Sequence, residues 1–367
     1  MRVLVTGSDG FIGKNLIVRL NELGIDYLTF NRQDSVKDLS KSIHESDCVV
    51  HLAGENRPQN DNDFDLVNYG LTSLICNELC LIKRNIPIIL ASSTQANTNN
   101  SYGKSKLGAE KEVTNLENEN GNFSYVLRLP GVFGKWCKPN YNSVVATFCH
   151  NISHDLPIKV NDPYVELTLV YIDDVIAELL RLIGYKGDTK KATSIQPEYK
   201  IKLGALADQI NAFKQSRHSL VTEKVGHGLV RKLYSTYLSY LSPEHFVYAL
   251  PSHSDARGIF AEMLRTKDSG QISFFTAKPG VTRGGHYHHS KTEKFLVVQG
   301  KAKFGFRHIV SNETYQTITS SNKLEIVETV PGWSHNISNI GTEEMVVMLW
   351  ANEVFDADNP DTMPYKV

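Results

Sequence analysis

Glycines at positions 7, 10 and 13 stand between a β-branched run, Arg2–Val5, and an amphipathic stretch, Ile12–Leu23. A chain that passes from strand to helix through such a loop keeps its backbone bare there, so that it turns tightly and its amides reach an anion that the helix N-terminus favours. The string Thr6-Gly7-Ser8-Asp9-Gly10-Phe11-Ile12-Gly13 therefore reads as a dinucleotide loop, with Gly7, Asp9, Gly10, Phe11, Ile12 and Gly13 as cofactor-binding candidates. A first β–α junction of this kind also dictates the architecture around it, a parallel and doubly wound sheet.

The next 170 or so residues keep that rhythm. Tyr27–Phe30, Cys48–Leu52, Ile86–Ala91 and Tyr125–Leu129 read as buried strands, and Leu66–Lys83 and Ser105–Asn118 as helices between them. Two more helical stretches come next, Leu203–Phe213 and Leu229–Leu241, before Ser242-Pro243 breaks the pattern. Beyond it the periodicity changes. Gln271–Ala277, Lys294–Val298, Ala302–His308, Thr314–Ile318 and Met345–Trp350 are short strands spaced by Gly, Pro and Asn, as in an all-β sandwich or barrel. The 367 residues thus predict two domains, an α/β domain over 1–243 and an all-β domain over 244–367.

Charge removes one class of function. With 39 Lys+Arg against 40 Asp+Glu the net charge is −1, without the basic excess of a general nucleic-acid binder. No apolar run reaches the roughly 18 residues of a membrane span, and the N-terminal one is too short for a signal peptide, which predicts a cytoplasmic protein with no membrane insertion. The cysteines, Cys48, Cys76, Cys80, Cys137 and Cys149, are odd in number and off zinc-finger spacing; they are expected reduced, with Cys76 and Cys80 packed inside. Seven of the 13 histidines fall from His245 onward, which directs attention to the second domain.

Two residues compete to set the first domain's cofactor. Asp34 stands where an acid holds the ribose hydroxyls of NAD, and Arg32 where a cation meets the 2′-phosphate of NADP; the position of Arg32 directly after the second strand favours NADPH. Tyr102 and Lys106 are four apart, on one face of a helix, where an ammonium beside a phenol eases proton transfer to a carbinol oxygen. Ser93 and Thr94, closing the preceding strand, bring hydroxyls to the same oxygen.

These residues, with Asp47–Gly54, Arg128–Gly134 and Tyr171–Val175, make the first 240 residues resemble the extended short-chain dehydrogenase/reductase family, especially its nucleotide-sugar reductases and epimerases. The resemblance implies a Rossmann-type sheet, Tyr102 as the acid, Lys106 as its tuner and a binder of the nicotinamide ribose, Thr94 or Ser93 polarising the sugar carbonyl, and Leu52, Ala53 and Gly54 against the cofactor. Gln95-Ala96-Asn97 departs from the family's usual continuation after the hydroxyl run.

In the second domain, His286 and His288 share a strand face and Glu293 returns from the next strand to the same interior; His335 comes later. Imidazoles and a carboxylate so placed suit a divalent metal, zinc by default. His289 is an alternative ligand if the strand is bulged. The spacing G-x5-H-x-H-x4-E-x6-G and the segment Pro331–Asn339 resemble the two motifs of the cupin superfamily, although Glu325 replaces the opening glycine of the second. That resemblance implies a jelly-roll barrel with His286, His288, Glu293 and His335 as the ligands.

Asp255–Glu262 and Arg283–Tyr287 are similar to segments of cupin-fold deoxysugar 3,5-epimerases, in which the histidine corresponding to His286 acts as a base. A ligand does not readily serve as that base as well, which leaves Tyr287, Lys294 and Arg257 as nearby candidates. The order reductase then cupin resembles bifunctional capsular-polysaccharide synthesis enzymes on the route to UDP-N-acetyl-L-fucosamine. It implies homodimers that act on a UDP-linked 4-keto-6-deoxy amino sugar, epimerising C3 in the cupin and reducing C4 with NADPH to the 6-deoxy-L-talose derivative. A cupin that only binds sugar or mediates dimerisation, and an iron oxygenase, are the alternatives.

Overall fold

The computed structural model describes every residue except Gln59, Lys83, 186–194, Pro251, Ala256, Arg257, Glu262, Met263, 267–269 and 354–357, and only the backbone of Ser252–Asp255, Gly258–Ala261, Arg265–Thr266, Gln271 and Ser273. Two units emerge from its contacts, one of Met1–Phe133 with Leu167–Ile201, the other of Gly134–Glu166 with Lys202–Val367. A single cut at residue 243 does not reproduce them, because Gly134–Glu166 and the chain from Lys202 to residue 243 belong with the β-rich unit.

The first unit is built on strands β1 (Arg2–Thr6), β2 (Asp26–Phe30), β3 (Cys48–His51), β4 (Ile88–Ser93) and β5 (Ser124–Leu129). They form one sheet in the order β2-β1-β3-β4-β5, and each adjacent pair is parallel. Leu4, Val49 and Ile88 from the strands meet Leu39, Ile75, Leu79, Val113 and Leu116 from the helices in one buried cluster. Each such side chain contributes about 1.5–3 kcal/mol on leaving water.

Two helices differ from the sequence reading. The predicted stretch Leu66–Lys83 is interrupted: a short helix, Asn62–Phe64, leads through a π turn, Asp65–Gly70, into Leu71–Leu81. The helix predicted from Ser105 begins a turn earlier, at Ser101, because the Asn100 side chain caps it by accepting the Gly103 amide at 2.7 Å. That earlier start places Tyr102 on the helix together with Lys106.

The second unit contains two five-stranded sheets. One runs Val247–Ala249, Glu325–Glu328, Glu293–Gln299, Met345–Ala351, Gln271–Ala277, and the other Thr314–Ser320, Lys301–His308, Trp333–Asn339, Thr282–Tyr287, Met363–Pro364. All the pairings within these sheets are antiparallel. Helices Val144–Ser153, Leu203–Ser219 and Gly228–Leu238 belong to the same unit. The expected pairing of a doubly wound parallel sheet with a jelly-roll barrel is the observed fold class. Among the described residues no helix is long and apolar enough to cross a membrane. Cys76 is buried as expected, whereas Cys80 is exposed.

Candidate active sites

Strand order in the first unit reverses between β1 and β3, and the crevice outside the carboxyl ends of strands at such a point is where open α/β sheets bind ligands. Gly7 succeeds β1 and Leu52–Gly54 succeed β3. Gly7 has φ +70°, and a Cβ there would lie 2.7 Å from the Ala53 amide nitrogen; on Gly13 it would lie 2.3 Å from the Gly7 carbonyl oxygen. Any larger residue would push the two loops apart or lift helix Phe11–Glu22 off its loop. Gly10 caps that helix without a side-chain hydrogen bond, which leaves first-turn amides for an anion of the kind helix N-termini favour.

Asp34 and Arg32, the two candidates for setting the cofactor, have different partners. Asp34 accepts the Asn31 amide at 2.6 Å, and the Asn31 side chain in turn takes the Asp9 amide at 3.2 Å and donates to Ser8 Oγ at 2.8 Å. The Asp34 carboxylate is thus engaged in the turn. Arg32 is the exposed cation beside it, its side chain 81% accessible and 2.7 Å from Glu55.

Tyr102, Ser93 and Lys106 come together at the end of β4. The Ser93 hydroxyl, which accepts the Gln95 amide at 3.1 Å, lies toward Tyr102 and partly offsets the burial that pushes the phenol up. Thr94, next in the chain, is exposed and opens a short 3-10 turn, so Ser93 is the hydroxyl the fold sets against the phenol. Lys106 is buried, its Nζ 6.0 Å from the Tyr102 ring centre and donating to the Ala91 carbonyl at 3.3 Å. Burial pushes its ammonium down to about 8 against the opposing charge of Glu110. Glu110 is itself clamped by Arg128, with Nη2 to Oε2 at 2.6 Å.

His51 and Asn68 carry no spacing signal in the sequence, yet they fix the loop facing this group. His51 is buried between Thr6 Oγ1 at 2.7 Å and Thr72 Oγ1 at 2.9 Å, and burial with the nearby Lys106 charge pushes it down to about 3. Asn68 accepts the Glu55 amide at 2.8 Å and donates to the Glu55 carbonyl at 3.1 Å and to Ser105 Oγ at 3.0 Å. Only the fold brings the two residues to this loop.

The second unit gathers His286, His288, Glu293 and His335, whose ligand atoms all lie within 4.8 Å of one another. Strand Thr282–Tyr287 carries a bulge between Gly284 and His286. The bulge lies upstream of both strand histidines and leaves their common phase intact; His289 falls on the opposite side, its ring 5.4 Å from that of Tyr287. Burial and the neighbouring His335 and His288 rings push His286 down to about 3. His288 Nδ1 lies against the Asp361 carbonyl, which can only accept, so the ring proton is on Nδ1. Its Nε2 lone pair then faces the Glu293 carboxylate at 3.1 Å, with His335 Nε2 3.4 Å from the same oxygen. Acceptors aimed at one another call for a cation between them, and three imidazoles with one carboxylate fit a divalent metal such as zinc. The buried His335 Nδ1 has no hydrogen-bond partner among the described residues.

Of the candidate bases, Arg257 lies outside the described residues. Lys294 is excluded by strand alternation: it points away from Glu293, and its Nζ sits against Tyr248 OH at 2.9 Å and against Glu328. Tyr287 likewise alternates away from the two histidines, packing near Tyr365 at 6.0 Å between ring centres.

A glycine loop at a strand switch point and a half-buried tyrosine beside a buried lysine define a nicotinamide-dinucleotide enzyme, here joined to a barrel that gathers a candidate metal-ligand set. The chain belongs to the NAD dependent epimerase/dehydratase family, whose profile matches residues 3–195, and the profile of the polysaccharide biosynthesis C-terminal domain matches residues 253–363. It is 53% identical over 363 residues, 99% of this chain and 98% of the relative, to the UDP-2-acetamido-2,6-beta-L-arabino-hexul-4-ose reductase of Pseudomonas aeruginosa. The solved structure of the capsular polysaccharide assembling protein CapF from Staphylococcus aureus covers 100% of both chains, with a TM-score of 0.69 and 42% identity. The UDP-glucose 4-epimerase of Thermotoga maritima, 20% identical, shares the fold over 58% of this chain and 82% of its own, with a TM-score of 0.51. The expected family resemblance, a reductase-type domain followed by a cupin as in capsule enzymes, is borne out.

Proposed function

We propose that this chain is a two-site nucleotide-sugar enzyme of capsular-polysaccharide precursor synthesis. Its cupin barrel epimerises C3 of a UDP-2-acetamido-2,6-dideoxy-4-hexulose, and its dinucleotide-binding unit reduces the C4 ketone with NADPH to the 6-deoxy-L-talose derivative. The observation that carries the reading is one chain holding both a Ser93–Tyr102–Lys106 group and a four-ligand cluster. Both chemistries act on a single ketone. The full-length likeness to a hexul-4-ose reductase supports the substrate class, and the exposed Arg32 supports NADPH.

When bound, the nicotinamide supplies the hydride for C4. Tyr102 gives its phenolic proton to the C4 oxygen, Ser93 holds that oxygen by hydrogen bonding, and Lys106 stabilises the phenolate left behind and binds the nicotinamide ribose. Gly7, Gly10 and Gly13 open the backbone to the pyrophosphate, and Leu52, Ala53 and Gly54 wall the cofactor. In the barrel, His286, His288, Glu293 and His335 hold a divalent metal, zinc by its donor set, which when bound supplies a Lewis acid for the ketone oxygen. Epimerisation precedes reduction, because the C4 carbonyl is what acidifies the C3 proton.

The test omits NADPH. Incubated in heavy water with the UDP-linked 4-keto sugar, the protein is expected to place deuterium at C3, read by NMR, and His288→Ala to abolish it. Absence of exchange at both C3 and C5, with brisk NADPH oxidation once cofactor is added, would reduce the cupin to a binding module.

The same reading includes a homodimer in the cytoplasm. Strand Gln271–Ala277 ends its sheet, and its outward residues Ile272 and Phe274 are 58% and 70% exposed, an apolar edge of the kind a second copy covers. Phe274→Glu is expected to convert a dimer to a monomer in light scattering; an unchanged mass would place the interface elsewhere.

A further inference from the structure

The C-terminal residues touch the metal-ligand cluster from one side at every ligand-bearing segment. The Asp361 carboxylate accepts three consecutive amides, from His289, Ser290 and Lys291, each at 2.7 Å, and the Ser290 hydroxyl at 2.9 Å. Its backbone carbonyl takes the His288 Nδ1 proton. Thr362 Oγ1 is 3.4 Å from Lys291 Nζ, which lies 3.3 Å from Glu293 Oε1, the oxygen turned away from His288 and His335. Met363 and Pro364 pair with Tyr287 and His286. Tyr365 closes the run, donating its amide to the Gly285 carbonyl at 2.8 Å and accepting the Ser334 hydroxyl at 2.6 Å, next to His335.

We propose that residues 361–365 form a strap that sets the metal affinity of the barrel, with Asp361 as its principal positioning residue. The inference rests on the reading of the barrel cluster as a metal site. The strap fixes the His288 tautomer so that Nε2 carries the lone pair, and it holds Glu293 to one free oxygen through Lys291. Outer partners of this kind orient ligands before a metal arrives, and losing one costs 10–100-fold in affinity. The coupling is reciprocal: a metal that binds more tightly with the strap docked also tightens the strap by the same factor.

The experiment titrates zinc into the full-length protein against a chromophoric chelator, comparing wild type with Asp361→Asn, Thr362→Val and a chain ending at residue 360. Asp361→Asn keeps the shape and several of the contacts, and is expected to weaken zinc binding about 10–100-fold; the chain ending at residue 360, which lacks the carbonyl on His288 Nδ1, is expected to show a mixed His288 tautomer by its 15N shift. Hydrogen exchange at residues 285–291 and 361–365 is expected to slow when zinc is added. If wild type binds zinc and both Asp361→Asn and the shortened chain bind it equally well, the strap has no such role. If wild type itself binds no zinc, the metal reading fails instead.

Discussion

Tyr102→Phe is expected to lower the rate of NADPH oxidation about 10²–10⁴-fold, the range for removal of a positioned general acid, while deuterium exchange at C3 persists. The split arises from the placement of the groups. Tyr102 and Ser93 sit together in the parallel-sheet unit, whereas all four barrel ligands come from Thr282–Asn339. A loss of less than tenfold would remove Tyr102 from the role of proton donor. Ser93→Ala is expected to cost more than Thr94→Ala, because Ser93 is buried toward the phenol and Thr94 is exposed. Protonation adds a second check. Burial lowers Lys106 to about 8, so kcat/KM for reduction is expected to fall above that pH as the ammonium beside the phenol is lost. The two changes are coupled, and Tyr102→Phe is expected to flatten the profile.

The glycine loop, the Tyr102–Lys106 spacing and the His286–His288–Glu293 pattern are legible in the sequence because each depends on local geometry. Strand and helix periods alone decide which of those side chains share a face. The hidden contacts depend on long-range closure. Asp361 lies some 70 residues beyond the turn it caps, and nothing in its neighbourhood marks it. Asn68 and His51 are joined to the Ser105 and Thr72 side chains only after the helices pack on the sheet. The start of the helix at Ser101 is obscured for a local reason, since the Asn100 cap ends a polar run, Asn97–Asn100, that reads as loop throughout. Lys294 is the opposite case. Its place beside Glu293 suggests chemistry, yet adjacency along a strand puts neighbours on opposite faces.

That opposite face supports the second large effect: Glu328→Gln is expected to destabilise the barrel unit by about 3–5 kcal/mol, the cost of breaking a buried ion pair from one side. Glu328 is fully buried and bonds both Lys294 and Arg217, whose guanidinium also lies 4.9 Å from the Tyr248 ring centre. Removing the carboxylate strands the buried Lys294 and the partly buried Arg217 against one amide. In a unit of this size the loss corresponds to a fall in Tm of about 10 °C. Burial raises the carboxyl, but Arg217 and Lys294 outweigh it and hold Glu328 down to about 2 from an ordinary 4.5. The network's contribution is therefore complete above pH 4.5 and is lost as pH falls toward 2. Glu328→Gln is expected to erase that part of the acid unfolding curve, and adding Lys294→Met to recover some of the lost stability by removing one stranded charge. Lys294→Met alone is expected to retain C3 exchange at a temperature where the protein is folded. A variant that stays folded and loses that exchange would return Lys294 to the reaction and overturn the assignment of this network to stability.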